Sequence, residues 1–197
     1  MQIGANELDR ILTALDRQNG LESGGPIALV VIGGAALHAL GLVSRTTKDV
    51  DVLGQAEETE RGIVIKKIRE FPDFLKRAIR KVQRDFDLPK NWFNLGPASQ
   101  LDLGLPTGFE SRLIRKTYGR NLTVYFSSRW DLIHFKLFAS IDRDDYNVQD
   151  LLSMNPSENE IEAAARWVLT QDVSQEFRCI TRQFLEEIGY GTIAERL

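Results

Sequence analysis

The sequence predicts an α+β chain, with a mixed β-sheet flanked by helices first and a helical bundle at the C-terminus. Three observations carry this reading. Ile27–Ile32 is an unbroken aliphatic run that stops at Gly33-Gly34, the pattern of a short buried strand. Residues 49–53 alternate acidic and apolar side chains, the pattern of a strand with its acids on one face. From Ser128 onward the apolar spacing is helical.

The elements follow in order. Residues 6–17 place Leu8, Ile11, Leu12 and Leu15 at helical spacing, with Asn6 as the expected cap. Residues 18–25 are a polar, Gly-rich loop before the first strand. Residues 35–40 suit a helix that ends near Gly41. Residues 62–69 and 73–84 are expected as two helices separated by Pro72, the second carrying Lys76, Arg77, Arg80, Lys81 and Arg84. Residues 92–105 are weakly patterned, with a short strand expected at 101–103. Residues 111–117 and Leu122–Phe126 flank Gly119-Arg120-Asn121, a hairpin turn. Helices then start at Ser127 or Ser128, at Pro156-Ser157 with Glu160 as a capping-box partner, and at Ser174. Residues 1–127 are expected as the α/β core. Residues 128–197 are expected as a helical portion packed on it, with no linker long enough for two independent domains.

Composition excludes several classes. With 43% hydrophobic and 27% charged residues the chain is globular rather than disordered. Its single cysteine, Cys179, rules out an internal disulfide framework or a multi-cysteine zinc site. Phe177 and Ile180 beside it predict a buried thiol. The longest apolar run, residues 26–42, is interrupted by Gly33-Gly34, His38 and Gly41, too broken to span a bilayer. The opening residues Met1, Gln2 and Ile3 begin neither a basic nor an apolar leader. A soluble, cytoplasmic protein is expected. The net charge of −3 gives no global attraction to nucleic acid.

The stretch from Val31 to Leu53 carries the chemistry. A buried strand ends at Gly33-Gly34, where glycines let a ligand approach the backbone and a following helix offers free N–H groups, an arrangement suited to phosphate. The chain returns through Arg45, Thr46, Thr47 and Lys48 into a strand bearing Asp49 and Asp51. Side chains two apart on a strand share a face, about 6.5–7 Å apart along the chain. Both carboxylates can therefore address one hard cation, and magnesium (or manganese) binds through one or two carboxylates plus substrate phosphates. Taken singly, a Gly-Gly turn or an acid pair on a solvated strand edge is unremarkable. Together and in this order they form one strand–turn–helix–strand unit. Two like charges facing one way repel unless a cation lies between them.

The residues Gly33, Gly34, Ala36, Gly41, Arg45, Thr47, Asp49 and Asp51 resemble the signature of minimal nucleotidyltransferases related to AbiEii-type toxins, and most closely their relatives grouped as nucleotidyltransferases of unknown function. The later segment around Trp130 to Leu152 is also similar, with Lys136 and Asp150 at the positions of a lysine and an aspartate in the toxins. The resemblance implies a nucleotidyltransferase-like sheet and a nucleoside triphosphate as partner. Gly33 and Gly34 would position the triphosphate, Asp49 and Asp51 would hold magnesium, and Arg45 and Thr47 would order the approach to the pair or touch the phosphates. Lys136 would neutralise phosphate, and Asp150 would act as a base or as the partner of Lys136. Two departures stand out. Ala35 occupies the position where many polymerase-like members carry a serine, and the one strand candidate for a third carboxylate is Asp102.

Simpler readings stand beside these. Lys136 lies in an otherwise apolar helix and either snorkels or points into a site. Asp150 follows the acidic run Asp142, Arg143, Asp144 and Asp145 and reads nearly as well as an ordinary solvated acid. His38 and His134 read as packed histidines. The basic run from Lys76 to Arg84, with Lys66, Lys67 and Arg69 before it, suits an RNA acceptor or, more simply, a solvated helix face. Three functions remain open. One is a nucleotidyltransferase acting on a protein, RNA or small-molecule acceptor, with a toxin role and a partner antitoxin implied by the resemblance. The second is a non-catalytic module that binds a nucleotide or a partner. The third is a helical interaction protein using Ile161, Ala164, Ala165 and Val168, then Phe177, Ile180, Phe184 and Ile188.

Overall fold

Leu29, Val30 and Val31 are fully buried and belong to β1 (Ile27–Ile32), the central strand of a mixed sheet. A computed structural model, describing residues 3–142 and 146–197, divides the chain into two compact units, Met1–Ser128 and Arg129–Leu197. Met1 and Gln2, and Arg143, Asp144 and Asp145 of the acidic run, lie outside the described residues.

The first unit holds β1, β2 (Val50–Thr59), β3 (Gly62–Lys66), β4 (Phe93–Asn94), β5 (Ile114–Thr117) and β6 (Leu122–Phe126). They form a six-stranded sheet in the order β3-β2-β1-β6-β5, with β4 beside β2. β1 runs antiparallel to β2 and parallel to β6, and β4 runs parallel to β2. The aliphatic run of β1 reflects this central place, covered on both faces. Each large side chain buried there contributes roughly 1.5–3 kcal/mol. The helices of this unit are α1 (Ala5–Leu21), α2 (Gly33–Ala39), α3 (Asp73–Asp85) and α4 (Gln100–Leu103). α1 buries Leu8, Ile11, Leu12 and Leu15 and packs on α2, α3 and β6, while α2 packs on β1 and β2. The predicted hairpin at Gly119-Arg120-Asn121 joins β5 to β6.

Several expected elements differ. Residues 62–69 do not form a helix. Gly62–Lys66 is strand β3, paired antiparallel with β2, because Ile63, Val64 and Ile65 are β-branched and Gly62, at φ +118, closes the turn. The strand expected at 101–103 is instead the short helix α4, following a 3-10 turn at Gly96–Ser99. Asn6 is not a cap: the N-cap of α1 is Gly4, two residues earlier, with no side-chain cap bond, and the helix runs on to Leu21 through part of the expected loop.

The second unit is helical: α5 (Arg129–Asp142), α6 (Tyr146–Ser153), α7 (Glu158–Gln171), α8 (Gln175–Glu187) and α9 (Gly191–Ala194). α5 packs on α6, α7 and α8. The Trp167 ring meets His134, Phe135 and Phe138 of α5 edge-on. The capping box of α7 forms as its sequence predicts, with Ser157 accepting from the Glu160 N–H and Glu160 accepting from the Ser157 N–H. Ser174 likewise caps α8 by accepting from Phe177. Ile161, Ala164, Ala165 and Val168 are fully buried. The expected buried thiol is overturned: Cys179 is exposed. α8 buries Thr181 and Leu185, and Cys179 lies two residues, roughly 200°, round the helix from Thr181. Among the described residues no helix is long and apolar enough to cross a membrane.

Candidate functional site

The loop between α2 and β2 returns the chain to the end of β1. The register pairs Ile32 with Asp51, so Asp51 stands beside the residue that leads into the glycine turn. Asp49 immediately precedes β2, and buried Val50 separates the two acids. Both carboxylates are half-buried, as expected of residues flanking one that faces the core.

Both glycines are required by this approach. Gly33 has φ +70, a left-handed conformation that favours glycine. A Cβ on Gly33 would stand 2.7 Å from Asp51 Oδ2, and a Cβ on Gly34 would stand 2.7 Å from Thr47 Oγ1 and 3.7 Å from Arg45 Nη2. Gly33, Gly34, Arg45, Thr47 and Asp51 are thereby brought into one cluster, in which Gly34 and Thr47 are buried, and Asp49 joins it through Thr47. The Thr47 hydroxyl lies 3.3 Å from Asp49 Oδ1 and 3.4 Å from the Asp49 carbonyl. Arg45 donates to the Thr46 carbonyl at 2.9 Å. Thr47 is itself tied down, because its backbone exchanges two hydrogen bonds with Ile3, at 2.8 and 2.9 Å.

Asn94, which no sequence motif marks, completes the cluster. β4 places Asn94 opposite Asp51, and the Asn94 amide donates to Asp51 Oδ1 at 3.1 Å. The adjoining buried aromatics Trp92 and Phe93 were the available sign of a strand there. Asp102, the expected third carboxylate, is 64% exposed on α4 and bonded to Lys67. Among the described residues no group of three or more His, Cys, Asp or Glu side chains stands together as a metal set.

The donor chemistry nonetheless fits a hard cation. Asp49 and Asp51 each accept a bond from a neutral donor, Thr47 or Asn94. Those bonds help to orient the two carboxylates. Gly33 lets the Asp51 carboxylate pack directly against the backbone of the turn, its Oδ2 2.7 Å from where a Cβ would stand.

Lys136 and Asp150 belong to the second unit. Lys136 Nζ is 2.8 Å from Asp150 Oδ2, and both side chains are almost fully buried. Lys136 also donates to Asn147 Oδ1 at 2.8 Å and lies over the Tyr146 ring. The lysine therefore does not snorkel, and Asp150 is not a solvated acid. His38 and His134 are both buried, and His134 Nδ1 is 2.8 Å from the Trp130 carbonyl. The basic run is an ion-paired face. Lys76 pairs with Glu70 and Asp73, Arg77 and Lys81 with Glu22, and Arg84 with Asp85. Hydrogen bonds from Lys81 and Arg77 hold Glu22 below the usual carboxylate range.

The profile of one family, nucleotidyltransferase of unknown function (DUF6036), matches residues 7–157. Comparison with curated proteins and with solved structures returns no match.

Proposed function

Since the chain belongs to this family of nucleotidyltransferases of unknown function, we propose that it binds a nucleoside triphosphate with magnesium or manganese and transfers the nucleoside monophosphate to a protein, RNA or small-molecule acceptor. The observation that carries the proposal is the close approach of Gly33 to Asp51, which makes the phosphate-ready turn and the carboxylate pair one cluster. Asp49 and Asp51 would hold the cation, which supplies charge neutralisation for the triphosphate during an in-line displacement. Thr47 orients Asp49 and Asn94 orients Asp51. Arg45, beside Gly34, supplies positive charge for the phosphates. Gly33 and Gly34 admit the phosphates to the backbone. Lys136 and Asp150 support the fold of the second unit in this reading, because the lysine's charge is met by the buried aspartate.

A toxin role within a toxin–antitoxin pair, in the cytoplasm where triphosphates are abundant, is the physiological extension of this proposal. Growth arrest on induction that Asp51→Ala abolishes would support it. A second reading, nucleotide binding without transfer, is favoured by Asn94, because the group beside Asp51 is an amide and cannot serve as a general base.

The deciding experiment incubates the protein with each labelled nucleoside triphosphate and Mg2+ or Mn2+, alone and with tRNA or lysate protein. Label transfer by wild type, lost in Asp49→Ala and Asp51→Ala variants that keep their melting temperature, supports transfer. A thermal shift with a non-hydrolysable triphosphate but no transfer to any acceptor supports the binding module. Absence of both overturns the proposal.

A further inference from the structure

The pairing of β4 with β2 is short and parallel: Val50 stands opposite Phe93, and Asp51 opposite Asn94. The anchor of β4 is apolar. Trp92 and Phe93 are buried, their rings lie 5.2 Å apart, and the Trp92 indole donates to the Ile79 carbonyl at 3.3 Å. The strand thus has little freedom to slide, and Asn94 is delivered to Asp51 by a fixed register.

The orientation of the amide is fixed as well. Asn94 Oδ1 accepts from the Gly96 N–H at 2.7 Å, which commits the NH2 group to the other side. That group donates to Asp51 Oδ1 at 3.1 Å and to the Asn91 carbonyl at 3.4 Å. A carboxylate at this position would bring a third negative charge to Asp49 and Asp51. The amide instead holds Asp51 by a hydrogen bond and adds no charge.

Resting on the proposed transfer reaction, we propose that Asn94 is a positioning residue that fixes Asp51 while keeping the metal site at two carboxylates. A site with this charge is completed by the phosphates of the nucleotide. The cation is therefore retained with the triphosphate and released without it. Residues that hydrogen-bond to a metal-ligating group tune affinity by roughly 10–100-fold, so the device is large enough to measure without turnover.

The test titrates Mn2+, read by electron paramagnetic resonance, into wild type, Asn94→Asp and Asn94→Ala, with and without a non-hydrolysable triphosphate. In wild type the triphosphate should raise Mn2+ affinity, because its phosphates complete the coordination. Asn94→Asp keeps an acceptor for Gly96 and adds a carboxylate, so its nucleotide-free Mn2+ affinity should rise by about tenfold. Its melting temperature should fall without metal and recover with it, a metal-dependent response that a purely structural asparagine would not give. If Asn94→Asp fails to fold, Asn94→Ala decides: its Mn2+ affinity with the triphosphate should drop about tenfold. Equal nucleotide-free Mn2+ affinity in wild type and Asn94→Asp, or no loss in Asn94→Ala, would overturn this inference and leave the transfer reading standing. No Mn2+ or triphosphate binding by any of the three would overturn both.

Discussion

Gly33 and Asp51 are so close that a single methyl group on the glycine would stand 2.7 Å from the Asp51 carboxylate. Gly33→Ala should therefore do two things. It places an alanine at φ +70, which costs about 1–2 kcal/mol, and it displaces Asp51. Gly41 provides the control, since it has φ +65 and a Cβ there would meet nothing within 4 Å. Gly41→Ala should lose similar stability and keep the rise in melting temperature caused by Mn2+ with a non-hydrolysable triphosphate. Gly33→Ala should lose that rise. Equal ligand responses in the two variants would detach Gly33 from the site.

Asp49 depends on a chain of contacts that begins at Ile3. The Ile3 backbone holds Thr47, and the Thr47 hydroxyl reaches Asp49. Thr47→Val removes the hydroxyl but keeps the backbone bridge, so its stability loss should stay near 1 kcal/mol. Deleting residues 1–4 keeps the hydroxyl but removes the bridge, along with a fully buried isoleucine worth roughly 1.5–3 kcal/mol. Both changes should weaken Mn2+–triphosphate binding. Combined, their effects on affinity should be less than additive, because both act through Asp49. Simple additivity, measured by calorimetric titration, would show that the two contacts act separately.

What was legible in the sequence was local. β1, the Gly33-Gly34 turn, α2 and the acid pair follow one another along the chain, and the Ser157–Glu160 box spans a single helical turn. What was not legible depends on partners distant in sequence. β3 was hidden because Lys66, Lys67 and Arg69 mask the alternation of Ile63 and Ile65 across a strand edge. Asn94 is 43 residues from Asp51, and its strand has only two residues, so no periodicity announces it. Asp102 was plausible as a strand acid only while its neighbours Leu101 and Leu103 were taken to alternate. Lys136 and Asp150 were recognisable as a pair by resemblance, but their depth of burial depends on how α5 and α6 pack.

That burial makes the Lys136–Asp150 pair a test of stability. Removing one partner strands the other charge in the interior, at a cost of about 3–5 kcal/mol. Lys136→Met and Asp150→Leu should each destabilise by this order in urea unfolding. The double variant should recover much of the loss, since two apolar side chains leave no uncompensated charge. If Lys136→Met instead abolishes nucleotide transfer at unchanged stability, the lysine acts on substrate, as the resemblance implies.

Glu160 sets an acid limit on the second unit. Burial pushes its carboxyl up, but the bonds from Arg129 and Ser157 outweigh this and hold it below the usual glutamate range. A carboxyl with a lowered folded-state pKa contributes stability above its unfolded pKa and loses it as pH falls through the folded value. The loss should thus begin as pH drops below the ordinary glutamate value of 4.5, with the unfolded chain taking up the proton first. Ser157→Ala removes the cap and should cost about 1 kcal/mol near neutral pH. Glu160→Gln keeps an acceptor for the Ser157 N–H but cannot titrate. Its unfolding free energy should start lower at neutral pH, where the Arg129 ion pair is missing, and fall less steeply than wild type on acidification. Parallel acid limbs in wild type and Glu160→Gln, followed by urea unfolding at a series of pH values, would assign the acid sensitivity to another carboxylate.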